Sequence, residues 1–87
     1  MAEDIVFVSP EAAPFAKTGG LADVAGALPV ALKALGCNVT LIHPLYRDVR
    51  ASGARLESAG FEVSVPVGGR LIKAGVFRAD LEGVDVY

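Results

Sequence analysis

Lys17-Thr18-Gly19-Gly20-Leu21-Ala22-Asp23-Val24 is the stretch that decides the fold. It follows an apolar run, Ile5-Val6-Phe7-Val8, across a loop punctuated by Pro10 and Pro14, and it opens an amphipathic pattern that begins near Leu21. A strand, a glycine pair and a helix start, in that order, are how open α/β folds present backbone N–H groups to a phosphate. Lys17, directly before the glycines, adds a mobile positive charge to that concavity. The order predicts that the N–H groups of Gly19 to Leu21 face outward at a helix N-terminus. It points to the chemistry of a sugar nucleotide.

Working outward, Ile5 to Val8 reads as a fully buried strand, being apolar and mostly β-branched before a Ser-Pro break. From Leu21 to Leu35 the apolar positions Leu21, Val24, Leu28, Leu32 and Leu35 step by three and four, which is one face of a helix. Gly36 stands where a left-handed cap is expected. Pro29 conflicts with that helix, since an interior proline removes an N–H and crowds the preceding turn at ~3 kcal/mol. The period continues on both sides of it, so the pattern predicts one kinked, continuous helix, with small Ala25 and Gly26 easing the crowding. Asn38 to Ile42 is a second buried strand, ended by His43-Pro44. Strand, helix and strand with short links make a right-handed parallel βαβ unit.

From Tyr46 to Gly60 the sequence is polar, with weak helical spacing around Val49, Leu56 and Ala59. Phe61 to Val65 alternates, Gly68-Gly69 turns, Leu71 to Phe77 is strand-like, and Asp80 to Gly83 turns again before Val84-Asp85-Val86-Tyr87. The fold class is therefore α/β: a partial Rossmann-like βαβ unit with a short β meander appended.

The 87 residues allow one small domain, 53% hydrophobic but only 7% aromatic, with no Trp. Apolar mass made of Val, Ala and Leu suits parallel strands and their covering helices. A formal net charge of −2 gives no electrostatic case for nucleic acid or an anionic membrane. No apolar run reaches the ~20 residues of a membrane span, and there is no signal-peptide pattern. The single Cys37 excludes a disulfide framework and fits a reducing compartment, so a soluble cytoplasmic protein is expected. Because Val84 to Tyr87 breaks off within an apolar strand, the chain is read as truncated.

Each candidate residue has a plain structural role beside its functional one. Gly19 and Gly20 suit a tight turn as well as close approach of a diphosphate, and the spacing Gly-x-Gly-x-x-Gly of dinucleotide sites is absent. Lys17 is either solvated charge or a phosphate contact. Thr18 is either a helix cap or a hydroxyl donor to phosphate. Asp23, in the first helical turn, complements the macrodipole whether or not it also binds sugar. Glu11 reads as a solvated loop carboxylate, since one such group makes no acid–base pair. His43 reads as a structural strand-end residue, because a metal site would need partners that Cys37 alone does not supply. No catalytic residue and no metal ligand is assigned.

Ser9-Pro10-Glu11-Ala12-Ala13-Pro14-Phe15-Ala16, running into Lys-Thr-Gly-Gly-Leu-Ala-Asp-Val and then Gly26-Ala27-Leu28-Pro29, resembles the amino terminus of bacterial glycogen synthases and plant starch synthases. The match runs from Ile5 to Tyr46 without a gap and is looser beyond. The resemblance implies the first part of the N-terminal domain of a glycosyltransferase B-type fold, in which two Rossmann-like domains face across a cleft; residues 1–87 would be an incomplete N-terminal domain. It implies transfer of glucose from ADP-glucose or UDP-glucose to an α-1,4-glucan with retention of configuration, and no metal or cofactor. It places Lys17, matched one for one, on the donor's phosphates and Asp23 near the glucosyl and acceptor side. The substrate-binding candidates are Lys17, Thr18, Gly19, Gly20 and Asp23. Two other readings stand beside this one: a non-catalytic βαβ module that binds a phosphate or glucan, and a short gene product without activity. The fragment alone is expected to lack transferase activity. With the central strand Ile5 to Val8 left at an open edge, it is also expected to self-associate.

Overall fold

The computed structural model describes residues 3–51, 53 and 55–87. Strand β1 (Asp4–Val8) is followed by the loop 9–19, helix α1 (Gly20–Ala34), strand β2 (Asn38–Ile42), a short helix α2 (Arg47–Ala51), the hairpin β3 (Glu57–Val67) and β4 (Arg70–Leu81), and strand β5 (Val84–Val86). Among the described residues these strands form one mixed sheet in the order β1-β2-β5-β4-β3. β1 pairs in parallel with β2, with Asp4 opposite Asn38 and Val8 opposite Ile42. β2 pairs in parallel with β5, so the predicted βαβ unit is present.

The helix runs through Pro29 without a break, and Pro29 is fully buried. Its bounds lie within a residue of the sequence pattern, and Gly36 takes the expected left-handed conformation at φ 96°. The apolar face that the period picks out, however, is buried only in part. Ala22, Ala25 and Pro29 are the buried residues of the helix and Leu32 packs half-buried against the core, whereas Leu21, Val24, Leu28 and Leu35 are exposed, Leu35 at 80%. Ala25 joins the core, with Val30 and Leu32 packed beside it, and the rest of the large apolar stripe is exposed. The strands depart from expectation in the same manner. β1 is not fully buried: Ile5 and Phe7 are half-buried while Val6 and Val8 are exposed, as befits an edge strand. In β2, Val39 and Leu41 are buried and Ile42 is exposed.

The meander is longer than the sequence pattern suggested. β3 and β4 extend over 11 and 12 residues, because a register shift between Ser58 and Glu62 carries the strand past Gly60. Gly68 and Gly69 lie at φ 56° and 77°, the left-handed pair that a tight two-residue hairpin requires. The final strand is not appended at the side. β5 slots between β2 and β4, antiparallel to β4, and so closes the sheet. Arg78 ties the three strands of this half together by ion pairs to Glu57 on β3 and Asp85 on β5. Arg50 of α2 lies over the Phe77 ring at 4.8 Å, which docks the short helix on the hairpin.

The core comprises Ala12, Ala25, Val39, Leu41, Ala79, Leu81, Val84 and Val86, with Ile5, Phe7, Phe15, Val30 and Leu32 packed around it. No helix among the described residues is long and apolar enough to cross a membrane.

Candidate functional site

The loop between β1 and α1 lies at the carboxyl end of the parallel strands, where open α/β sheets receive ligands. It is shaped by its own backbone. Ser9 is buried, donates its hydroxyl to the Glu11 carbonyl at 2.6 Å and accepts from the Glu11 N–H at 3.3 Å. Ala12 and Ala16 exchange backbone bonds of 3.1 and 3.0 Å, and the Ala13 N–H donates to the Ala22 carbonyl at 2.9 Å, which fastens the loop to the helix. At that crossing the backbones nearly touch. A Cβ on Gly26 would stand 2.4 Å from the Ala13 carbonyl oxygen. Gly26 is therefore held small by the loop.

The predicted site residues cluster on this loop and the first turn of α1, all solvent-exposed. Lys17 Nζ pairs with Asp23 Oδ1 at 2.7 Å, with both side chains more than half exposed. Such a pair contributes on the order of 0–1 kcal/mol, so it is readily exchanged for another anion. The N-cap of α1 is Gly19, which makes no side-chain cap bond; Thr18 is not the cap. Instead, Thr18 donates its N–H to Glu11 Oε1 and its hydroxyl to Glu11 Oε2, each at 2.7 Å. These bonds, with a smaller contribution from the Gly19 N–H, hold the Glu11 carboxyl below its ordinary value. Glu11 is thus a loop clasp and not a free solvated carboxylate. The sequence carried only a faint signal for it: a carboxylate held between two prolines, seven residues before a threonine.

The glycine pair has an unexpected environment. Gly19 is extended at φ −173°, a backbone any residue adopts, and Gly20 is helical. Added Cβ atoms at either position would meet nothing within 4 Å. Neither the turn nor packing among the described residues requires glycine there. The N–H groups of Gly20 and Leu21 find no acceptor among the described residues, while that of Gly19 leans toward Glu11.

An apolar groove of about 620 Å³ lies elsewhere, lined by Phe15, His43, Leu56, Phe61, Phe77 and Tyr87 among others. None of Lys17, Gly19, Gly20 or Asp23 lines it. His43 is buried at its rim; its ring lies 5.9 Å from Phe15 and 5.7 Å, edge-on, from Tyr46, and Nε2 has no partner among the described residues. The described residues hold no group of three or more His, Cys, Asp or Glu that could bind a metal.

Burial lowers the His43 pKa below 6.5. Between the folded and unfolded values the unfolded chain binds more protons, so this contribution to stability is intact above 6.5 and is lost as pH falls below it. Thermal unfolding across that range should show the midpoint falling on acidification. His43→Leu should remove that part of the slope, and an unchanged slope would mean that His43 titrates as in the unfolded chain.

A family model described as the starch synthase catalytic domain matches residues 4–87. The glycogen synthase of Geotalea daltonii is 46% identical over 84 residues, covering 95% of this chain and 17% of that protein. The glycogen synthase of Myxococcus xanthus is 58% identical over 57 residues, covering 66% of this chain and 12% of its own length. Among solved structures, the catalytic domain of starch synthase IV from Arabidopsis thaliana, bound to ADP and acarbose, superposes with a TM-score of 0.89 at 32% identity, covering 99% of this chain and 18% of that one. The chain thus spans about a sixth of the length of such relatives. Matched over nearly all its residues in sequence and in fold, the chain belongs to the starch synthase catalytic domain family.

Proposed function

We propose that this segment is the amino-terminal part of a retaining glucosyltransferase that lengthens α-1,4-glucan from ADP-glucose or UDP-glucose. Residues 1–87 would form an incomplete N-terminal Rossmann-like domain, with the rest of the cleft supplied by chain outside this segment. The observation that carries the reading is the glycine pair. Two glycines stand at a helix N-terminus with open space beside them, no backbone need for glycine, and a lysine on a weak, exposed ion pair next to them. Absent side chains at a helix N-terminus admit an anion to the backbone N–H groups. The similarity to a starch synthase solved with ADP and acarbose supports a nucleotide and a glucan as the ligands.

In the reaction, negative charge grows on the leaving diphosphate as the glucosyl bond lengthens. Groups fixed where that charge develops lower the barrier. Lys17 would leave Asp23 for the diphosphate, the N–H groups of Gly20 and Leu21 would face it, and Asp23, so released, would turn toward the sugar side. The segment alone would transfer nothing.

The test uses the longer protein that contains this segment. Lys17→Ala should lower kcat/KM for the nucleotide sugar by roughly 10- to 100-fold, the ~1.5–3 kcal/mol of one charge-assisted contact. Gly20→Ala should impair activity through the methyl group it puts in the phosphate path. Both should leave the thermal midpoint in place, because neither position packs against anything. Unchanged kinetics in both variants would remove the site from this loop.

A further inference from the structure

We infer that Glu11 is a positioning residue for the nucleotide-sugar step, setting the place of Lys17 and of the glycine N–H groups through its two bonds to Thr18; the inference rests on the donor site proposed above. Two glycines in sequence leave a backbone with many accessible states, and the N-cap Gly19 offers no side chain to restrain the first turn of α1. Something before the glycines must hold that turn. Glu11 has the needed anchorage, because its own backbone is bonded on both sides to the buried Ser9 hydroxyl at the end of β1. Its carboxylate then reaches across seven residues to Thr18, immediately before Gly19.

The same geometry divides the donors. The N–H and hydroxyl of Thr18 are both committed to Glu11, so they hold the loop and do not serve a phosphate. What remains for an anion is Lys17 with the N–H groups of Gly20 and Leu21. A carboxylate beside an anion site would by itself repel the ligand. Here the Thr18 donors and the Gly19 N–H take up its charge.

The roles of charge and geometry separate by substitution in the longer protein. Glu11→Gln keeps both contacts, since its amide oxygen accepts from the Thr18 N–H and its amide nitrogen donates to the Thr18 hydroxyl. Glu11→Ala removes both. With ADP-glucose as the probe, or UDP-glucose where that is the donor used, Glu11→Ala should reduce kcat/KM by roughly 10- to 100-fold, mostly through KM. Glu11→Gln should stay within about three-fold of the parent, because the amide keeps an acceptor for the N–H and a donor for the hydroxyl. Thr18→Val should give a partial loss, and its combination with Glu11→Ala should be no worse than Glu11→Ala alone, the non-additivity of residues acting as one unit. Amide hydrogen exchange over the peptide spanning 15–24 should rise in Glu11→Ala and not in Glu11→Gln. Parental exchange and KM in Glu11→Ala would overturn the inference. So would a Glu11→Gln variant as impaired as Glu11→Ala with exchange unchanged, since the charge would then act directly. If Glu11→Ala fails to fold, Thr18→Val and Glu11→Gln carry the test, and a Thr18→Val variant with parental KM and exchange overturns it. A protein that uses neither donor would defeat the proposed function, while the exchange data would still decide whether Glu11 holds the loop.

Discussion

Gly26→Ala is expected to destabilise the protein by about 2–3 kcal/mol and to displace the loop 9–19, although alanine is the better helix former. The added methyl would lie 2.4 Å from the Ala13 carbonyl oxygen, 3.1 Å from its nitrogen and 3.2 Å from its carbon. All three are backbone atoms, so no rotamer change relieves the contact. Relief requires the helix to lift from the loop or the loop to move. Either motion stretches the Ala13 N–H bond to the Ala22 carbonyl and shifts Ala22 and Ala25, both buried. Against this, alanine returns roughly 0.5–1 kcal/mol of backbone entropy. The clash outweighs it. Gly20→Ala in the same helix is the control, because its added methyl meets nothing within 4 Å. Denaturant unfolding of the two variants should show a large loss for Gly26→Ala and none for Gly20→Ala. Equal stabilities would mean that helix and loop do not approach as closely as 2.4 Å implies.

Leu41→Ala should cost about 3–5 kcal/mol, the upper range for a buried leucine. Leu41 is wholly inaccessible in β2, opposite Phe7 on β1 and Val86 on β5, and its carbonyl accepts the Tyr87 N–H at 2.8 Å. Strands on both sides are bonded in place, so the site collapses poorly and most of the cavity persists. Whole-domain stabilities are of order 5–15 kcal/mol, so this one change removes a large share. Leu35→Ala, at 80% exposure, should cost little in the same unfolding measurement of this segment. Comparable losses from Leu35 and Leu41 would contradict the placement of the core on the Ala22, Ala25 and Pro29 face of α1.

These two substitutions separate what spacing encodes from what contact encodes. Local chemistry was legible wherever a residue acts on its immediate neighbours. The β-branched run predicted β1, the 3.6-residue period predicted a helix continuous through Pro29, Gly36 marked its end, and Gly68-Gly69 marked the hairpin. The motif from Lys17 to Val24 identified the family, and its residues lie together on one loop and one helical turn.

Only the tertiary structure decided which side of that helix is buried. A period reports that apolar residues recur, but a helix with Leu21, Val24 and Leu28 on one face and Ala22, Ala25 and Pro29 on another can present either to a sheet. In this segment Ala22, Ala25 and Pro29 are the buried ones, and of the periodic leucines Leu32 alone packs against the core. The hairpin's reach past Gly60 and the insertion of β5 between β2 and β4 likewise depend on partners distant in sequence. So does the Glu11–Thr18 clasp: a glutamate and a threonine seven residues apart have no period to announce them, and only the fold of the loop brings them to 2.7 Å. Gly26 is the plainest case. In sequence it is a small residue near a proline; in the fold it is where two backbones meet, because side-chain volume matters only once a neighbour occupies the space.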